Sequence, residues 1–197
     1  MAPLVDVFYN DSYDLLRRYE RTLEAYLGVT EQDVLDRLET ILRNSAQIMA
    51  DAGVDPKSEA ELRRPLYNVI KLWFPDTTLR AGIVQPKKTY VPDIGVPSLK
   101  TTIELKFANS EQEMKKVVGE LYTDMHGYEG SEDWTNHFGL IYATKPTFTP
   151  EQVTAELTRV KASPTWRIVT VLGVGARKRQ KKKFVPKSRR PGRQRPK

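Results

Sequence analysis

The chain has 197 residues, 39% hydrophobic and 9% aromatic, enough for a packed core in one moderately large domain or two small ones. Its formal charge of +7 conceals an asymmetry: residues 177–197 hold 12 basic and no acidic residues, leaving 20 basic against 25 acidic in residues 1–176, a net of −5. The lack of cysteine excludes disulfide scaffolds, thiolate zinc sites and cysteine nucleophiles, no apolar run approaches the ~18 residues of a membrane span, and the acid-bearing N-terminus argues against a signal peptide, so an intracellular, cytoplasmic protein is expected.

Ser12 is placed to cap a helix over residues 12–27, with Leu15, Leu16, Tyr19, Leu23, Tyr26 and Leu27 at helical spacing and Gly28 as its stop. Thr30-Glu31-Gln32-Asp33 resembles a capping box. The stripe Val34, Leu38, Ile41, Leu42, Ile48 and Met49 then predicts a second helix ending near Gly53. Residues 1–54 thus read as a helical hairpin, either packed against itself or serving as the arm of a homodimer or larger complex. A third helix is expected between residues 58 and 73, with Leu62, Leu66, Val69, Ile70 and Trp73 as its apolar face; Pro65 either starts it or kinks it.

From residue 79 the pattern turns to β-branched and turn residues. Strands are predicted near 80–85, 89–95 and 101–107, with turns at Pro86-Lys87 and over residues 95–100. Met114, Val117, Val118, Leu121 and Met125 return to helical spacing over residues 110–128, and a loop over 128–136 follows. Residues 137–143 suit a buried strand, Pro150 opens a helix running to about Ala162, and residues 166–172 suit a last strand. Strands alternating with helices imply an α/β fold: a mixed central sheet flanked by helices, over residues 55–176, behind the N-terminal helical segment.

The stretch that carries chemistry is residues 90–107. On an extended strand Ile103, Leu105 and Phe107 point into a core, while Thr102, Glu104 and Lys106 point the other way. Glu104 and Lys106 are then neighbours on one face, ~7 Å apart. A hairpin over 95–100 brings Asp93 back beside Glu104. Two carboxylates offer hard oxygen ligands that suit Mg²⁺ or Mn²⁺, and a lysine beside them can orient a water or stabilise charge on a phosphate. An acid and a lysine two apart on a strand are often only a solvated ion pair. Glu104, however, lies inside the hydrophobic run 101–107, where a charge is costly unless ligated or paired.

Pro92-Asp93 followed by Glu104-Leu105-Lys106 resembles the PD-(D/E)xK nuclease superfamily. The resemblance covers about residues 58–145 and implies a restriction-endonuclease-like fold and Mg²⁺- or Mn²⁺-dependent hydrolysis of DNA, with endonuclease action expected. It implies Asp93 and Glu104 as metal ligands and Lys106 as the residue that positions the attacking water. Members often add an acid from the preceding helix, here Glu61 with Glu59 in reserve, and a polar residue from the following one. Lys116, Glu120 and Asp124, at i, i+4 and i+8, are the candidates on that helix.

Rival motifs are weak. Gly173-Val174-Gly175 lacks the third glycine of a dinucleotide loop and runs into the basic tail; there is no GxxxxGK[ST] and no HExxH. His126 and His137 read as surface or half-buried residues. Trp73, Trp134 and Trp166 read as packing residues, with a substrate or partner contact the alternative for Trp134. The tail, with Arg177, Lys178, Arg179, Lys181, Lys182, Lys183, Lys187, Arg189 and Arg190, is expected to be disordered in isolation and to grip nucleic-acid phosphates, DNA by the family resemblance. The competing reading is a non-catalytic nucleic-acid-binding or assembly protein on a nuclease-like core.

Overall fold

The computed structural model describes residues 15, 16, 18, 19, 22, 23, 27–84, 88–146, 148–159 and 165–175. The basic tail from residue 177, including its nine expected phosphate-gripping residues, and the turn at Pro86-Lys87 lie outside the described residues. No helix among the described residues is long and apolar enough to cross a membrane.

The residues described between 15 and 23 are helical and exposed, Leu15, Leu16, Tyr19 and Leu23 among them. Helix α1 (Glu31–Arg43) begins on the expected capping box: the Thr30 N–H donates to Asp33 Oδ2 at 2.7 Å, and the Asp33 N–H donates to Thr30 Oγ1 at 3.2 Å. The expected second helix is two. Asn44 interrupts it, and α2 (Ser45–Asp51) ends at Gly53, whose φ of 64° favours glycine. Helix α3 (Glu59–Trp73) runs through Pro65. It buries Leu62, Leu66 and Ile70 at four-residue spacing but leaves Trp73 58% exposed, against the packing role expected for that tryptophan.

A five-stranded sheet has the order β1-β4-β5-β6-β7. Its strands are β1 (Thr78–Leu79), β4 (Ile94–Val96), β5 (Thr101–Ala108), β6 (Asn136–Ala143) and β7 (Trp166–Leu172). The β1, β4 and β5 strands pair antiparallel; β5, β6 and β7 pair parallel. The parallel pairs are joined by α4 (Glu111–Tyr128) and α5 (Pro150–Arg159), the helical crossovers that parallel strands need. Strands β2 (Ile83–Val84) and β3 (Thr89–Tyr90) form a separate two-stranded ribbon. The mixed, helix-flanked sheet expected from the sequence is therefore present, with residues 80–85 and 89–95 divided into shorter strands than predicted.

Both faces of the sheet are covered, each by its own core. Leu38, Leu42, Met49, Leu62, Leu66 and Ile70, from α1, α2 and α3, pack with Ile103, Leu105, Phe107, Phe138, Leu140 and Tyr142. On the other face Met114, Val117, Leu121, Met125 and Tyr128 of α4 pack with Ala108, Ile141, Val153, Leu157 and Trp166. The second predicted helix is thus part of the same core as the sheet.

Candidate active site

The site forms where β4 parts from β5. Pairing runs from Val96 opposite Thr101 to Ile94 opposite Ile103, and stops there. A longer β4 would have taken the next β5 amides. Instead the Leu105 N–H donates to Asp93 Oδ2 at 2.9 Å, and the Phe107 N–H donates to the Glu59 carboxyl. Side chains thus satisfy the orphaned strand edge, and two acids are fixed beside the predicted motif.

Asp93 is 8% exposed, and its other oxygen, Oδ1, accepts from Arg63 Nε at 2.7 Å as well as from the same guanidinium's terminal nitrogen. Glu59 and Arg63 lie four apart on α3, so the first turns of that helix deliver both. From the other face, Glu104 and Lys106 point towards α4. Lys106 Nζ donates to Glu104 Oε1 at 3.0 Å and to Asp124 Oδ2 at 2.8 Å. Tyr128, one helical turn after Asp124, donates its hydroxyl to Glu104 Oε2 at 2.8 Å.

Burial and crowding set the electrostatics. Burial pushes Glu104 up from the ordinary 4.5 to about 7, with Lys106 pulling the other way and the Asp93 and Asp124 charges adding to the rise. Burial also raises Glu59, against the pull of Lys106 and the Phe107 N–H. For Lys106 burial alone would lower the pKa, but the Glu104 and Asp124 carboxylates outweigh it and hold the amine firmly protonated. Tyr128 is raised by burial and by the Glu104 and Asp124 charges, so its hydroxyl stays a donor.

Four acids, Glu59, Asp93, Glu104 and Asp124, therefore face two cations, Arg63 and Lys106. Hard, partly buried oxygen donors of this kind are the ligand type that Mg²⁺ or Mn²⁺ takes. Among the described residues no three His, Asp or Glu side chains form a metal cage. Mg²⁺ does not require one, being held by one or two carboxylates with waters and phosphate oxygens.

The restriction endonuclease family described as REase_DpnII-MboI matches residues 33–172, well over half of the chain. The chain belongs to the DpnII-MboI restriction endonuclease family. The family is of the PD-(D/E)xK type, so the resemblance carried by Pro92-Asp93 and Glu104-Leu105-Lys106 is borne out. The DpnII-MboI match starts within α1 and ends with β7, wider than the 58–145 span of the resemblance. It makes DNA the substrate class and a DNA-cleaving hydrolase the enzyme class. No curated protein and no solved structure shows significant similarity to the chain.

Within this DpnII-MboI family member, Glu104 and Lys106 are in direct contact, and Asp93 holds the amide of Leu105 between them, near enough for its charge to act on Glu104. Of the two acids considered on α3, it is Glu59 that reaches the site. Glu61 is exposed and accepts the N–H of Lys57, just ahead of its own helix, at 2.9 Å. Of the three polar residues on α4, Asp124 reaches Lys106. Glu120 lies at the margin, acting on Glu59 and paired at 2.8 Å with the exposed Lys116. Arg63 and Tyr128 were not singled out by the sequence; their i, i+4 spacings from Glu59 and Asp124 are the signal that marks them. His137, expected at or near the surface, is buried, hydrogen-bonded to Thr102 Oγ1 at 2.7 Å and stacked on Trp166. Burial lowers it to about 4, so it is a neutral packing residue beneath the strand. Trp134 packs in the second core, close against Gly95.

Proposed function

We propose that the protein is a Mg²⁺-dependent endonuclease that hydrolyses phosphodiester bonds in DNA. The observation that carries this reading is the meeting of Asp93, Glu104 and Lys106 where β4 leaves β5, in a chain of a restriction endonuclease family. Asp93 and Glu104 would hold the ion, with Glu59 the third carboxyl in reach of the same stretch of β5. A bound Mg²⁺ supplies a water of lowered pKa and neutralises charge on the phosphate.

Lys106 acts as a charge and a donor. Its ammonium has three N–H donors; Glu104 and Asp124 take two, leaving one for the attacking water or a phosphate oxygen. Held protonated between two carboxylates, it is unsuited to act as a general base. Asp124 fixes the amine from α4, and Tyr128 fixes the Glu104 carboxyl. The basic residues beyond 176 add sequence-independent affinity for the backbone, which the net-acidic body would otherwise lack.

The test is incubation of the full chain with supercoiled plasmid in Mg²⁺ or in EDTA. Nicked or linear product should appear only with Mg²⁺, and Asp93→Ala, Glu104→Ala and Lys106→Ala should abolish it with circular dichroism unchanged. Tight plasmid binding without cleavage under any divalent ion would instead support a non-catalytic nucleic-acid-binding protein.

A further inference from the structure

The two oxygens of Asp93 are held by different groups. Oδ2 accepts from the Leu105 backbone N–H at 2.9 Å, which belongs to the rigid central strand. Oδ1 accepts two N–H groups of Arg63, through Nε at 2.7 Å and through a terminal nitrogen. Oδ2 keeps one lone pair for an incoming ion, but an ion that takes Oδ1, or sits between the two oxygens, meets the guanidinium that already fills Oδ1. Arginine cannot shed its charge to relieve the conflict. A divalent cation and a guanidinium on one oxygen would repel each other strongly, so one must leave. The side chain that can leave is Arg63: it is long and 23% exposed, whereas Asp93 is anchored by the strand amide.

We propose that Arg63 is a built-in rival of the divalent ion for Asp93 Oδ1. It holds the carboxylate in place while no ion is present. On displacement it turns its planar fork of donors to the DNA phosphate bound beside the ion. Guanidinium geometry matches two phosphate oxygens as well as it matches a carboxylate. This rests on the reading of Asp93 as a metal ligand. It gives Arg63 a signature that a merely structural arginine lacks: its loss strengthens metal binding and weakens DNA binding, where a structural loss weakens both.

The full chain is titrated with Mn²⁺ in a calorimeter without DNA, and its affinity for a short duplex is measured by fluorescence anisotropy in Ca²⁺. Arg63→Gln should bind Mn²⁺ at least about tenfold more tightly than wild type, since a unit charge ~4 Å away in a partly buried site is removed. It should bind the duplex about tenfold more weakly, for loss of a bidentate phosphate contact. Mn²⁺ affinity equal to or weaker than wild type overturns the proposal. A second measurement needs no variant: in a ¹H–¹⁵N spectrum of wild type, the Arg63 Nε–H resonance should move on saturation with Mg²⁺. An unmoved Nε–H while the Leu105 amide shifts overturns the proposal and leaves Asp93 as a ligand. If wild type and Asp93→Asn are alike in taking up no Mn²⁺, the metal reading of the site falls, and the role of Arg63 with it.

Discussion

Glu104→Gln should stabilise the ion-free protein at alkaline pH. The Glu104 side chain is 13% exposed and its pKa is raised from 4.5 to about 7, chiefly by burial. Between those two values the folded chain keeps a proton that the unfolded chain has lost. Stability is therefore fully present below pH 4.5 and is lost as pH rises through about 7. At ~1.4 kcal/mol per pKa unit, the charge costs on the order of 3 kcal/mol once it is fully formed. Glutamine has the shape of the protonated acid and does not titrate, and Asp124 remains to pair Lys106. Urea denaturation of wild type and variant in EDTA, at about pH 5.5 and about pH 8.5, reads the difference. The advantage of the variant should grow by about 2 kcal/mol between them. Saturating Mg²⁺ should then favour wild type, because an ion that binds only the folded state adds stability that the glutamine variant cannot gain. An advantage independent of pH, or a variant less stable at the higher pH, would refute the account of Glu104 as a carboxyl strained by burial and by its acidic neighbours.

Three further outcomes concern Glu104 and the rings packed near it. His137, lowered by burial from 6.5 to about 4, has the opposite pH dependence: its contribution is present above pH 6.5 and lost as pH falls towards 4. His137→Gln should remove an acid-side loss on the order of 3 kcal/mol, seen as a shallower fall in urea midpoint, and a fall as steep as in wild type would contradict the buried neutral ring. Wild type alone should look nearly flat between pH 4.5 and 6.5, because Glu104 and His137 oppose each other there. Tyr128→Phe keeps the ring against His137 and Trp166 but removes the donor to Glu104 Oε2. A hydrogen bond to a charged group is worth ~1.5–3 kcal/mol, so kcat for plasmid cleavage should fall at least about tenfold with KM for DNA unchanged; an unaltered kcat would show that Tyr128 does not position Glu104.

The sequence made the central part of the site legible because strand alternation and a hairpin are local rules. Asp93, Glu104 and Lys106 needed only a period of two and one turn to be brought together. Asp124 was legible as one member of a helix face. What tertiary packing decides was not. Glu59 and Glu61 are two apart on a helix, so they point about 200° from each other. Only the docking of α3 against the open edge of β5 selects Glu59, and the uncertainty that Pro65 raised about where the helix begins hid its register. Tyr128 falls where the helix predicted over 110–128 meets the loop predicted over 128–136. Gly127 is no helix stop: a Cβ there would lie 2.2 Å from the Tyr90 ring, so the glycine admits that ring beside the helix. The break at Asn44 has no comparable local mark, and the hydrophobic stripe runs across it unchanged.

The most direct test of the whole account is where a divalent ion sits. Anomalous diffraction from crystals soaked in Mn²⁺ should give a peak in contact with the Asp93 and Glu104 carboxylates, absent from Glu104→Gln crystals treated alike. A Mn²⁺ peak away from both carboxylates, in crystals whose protein cleaves DNA in solution, would contradict the assignment.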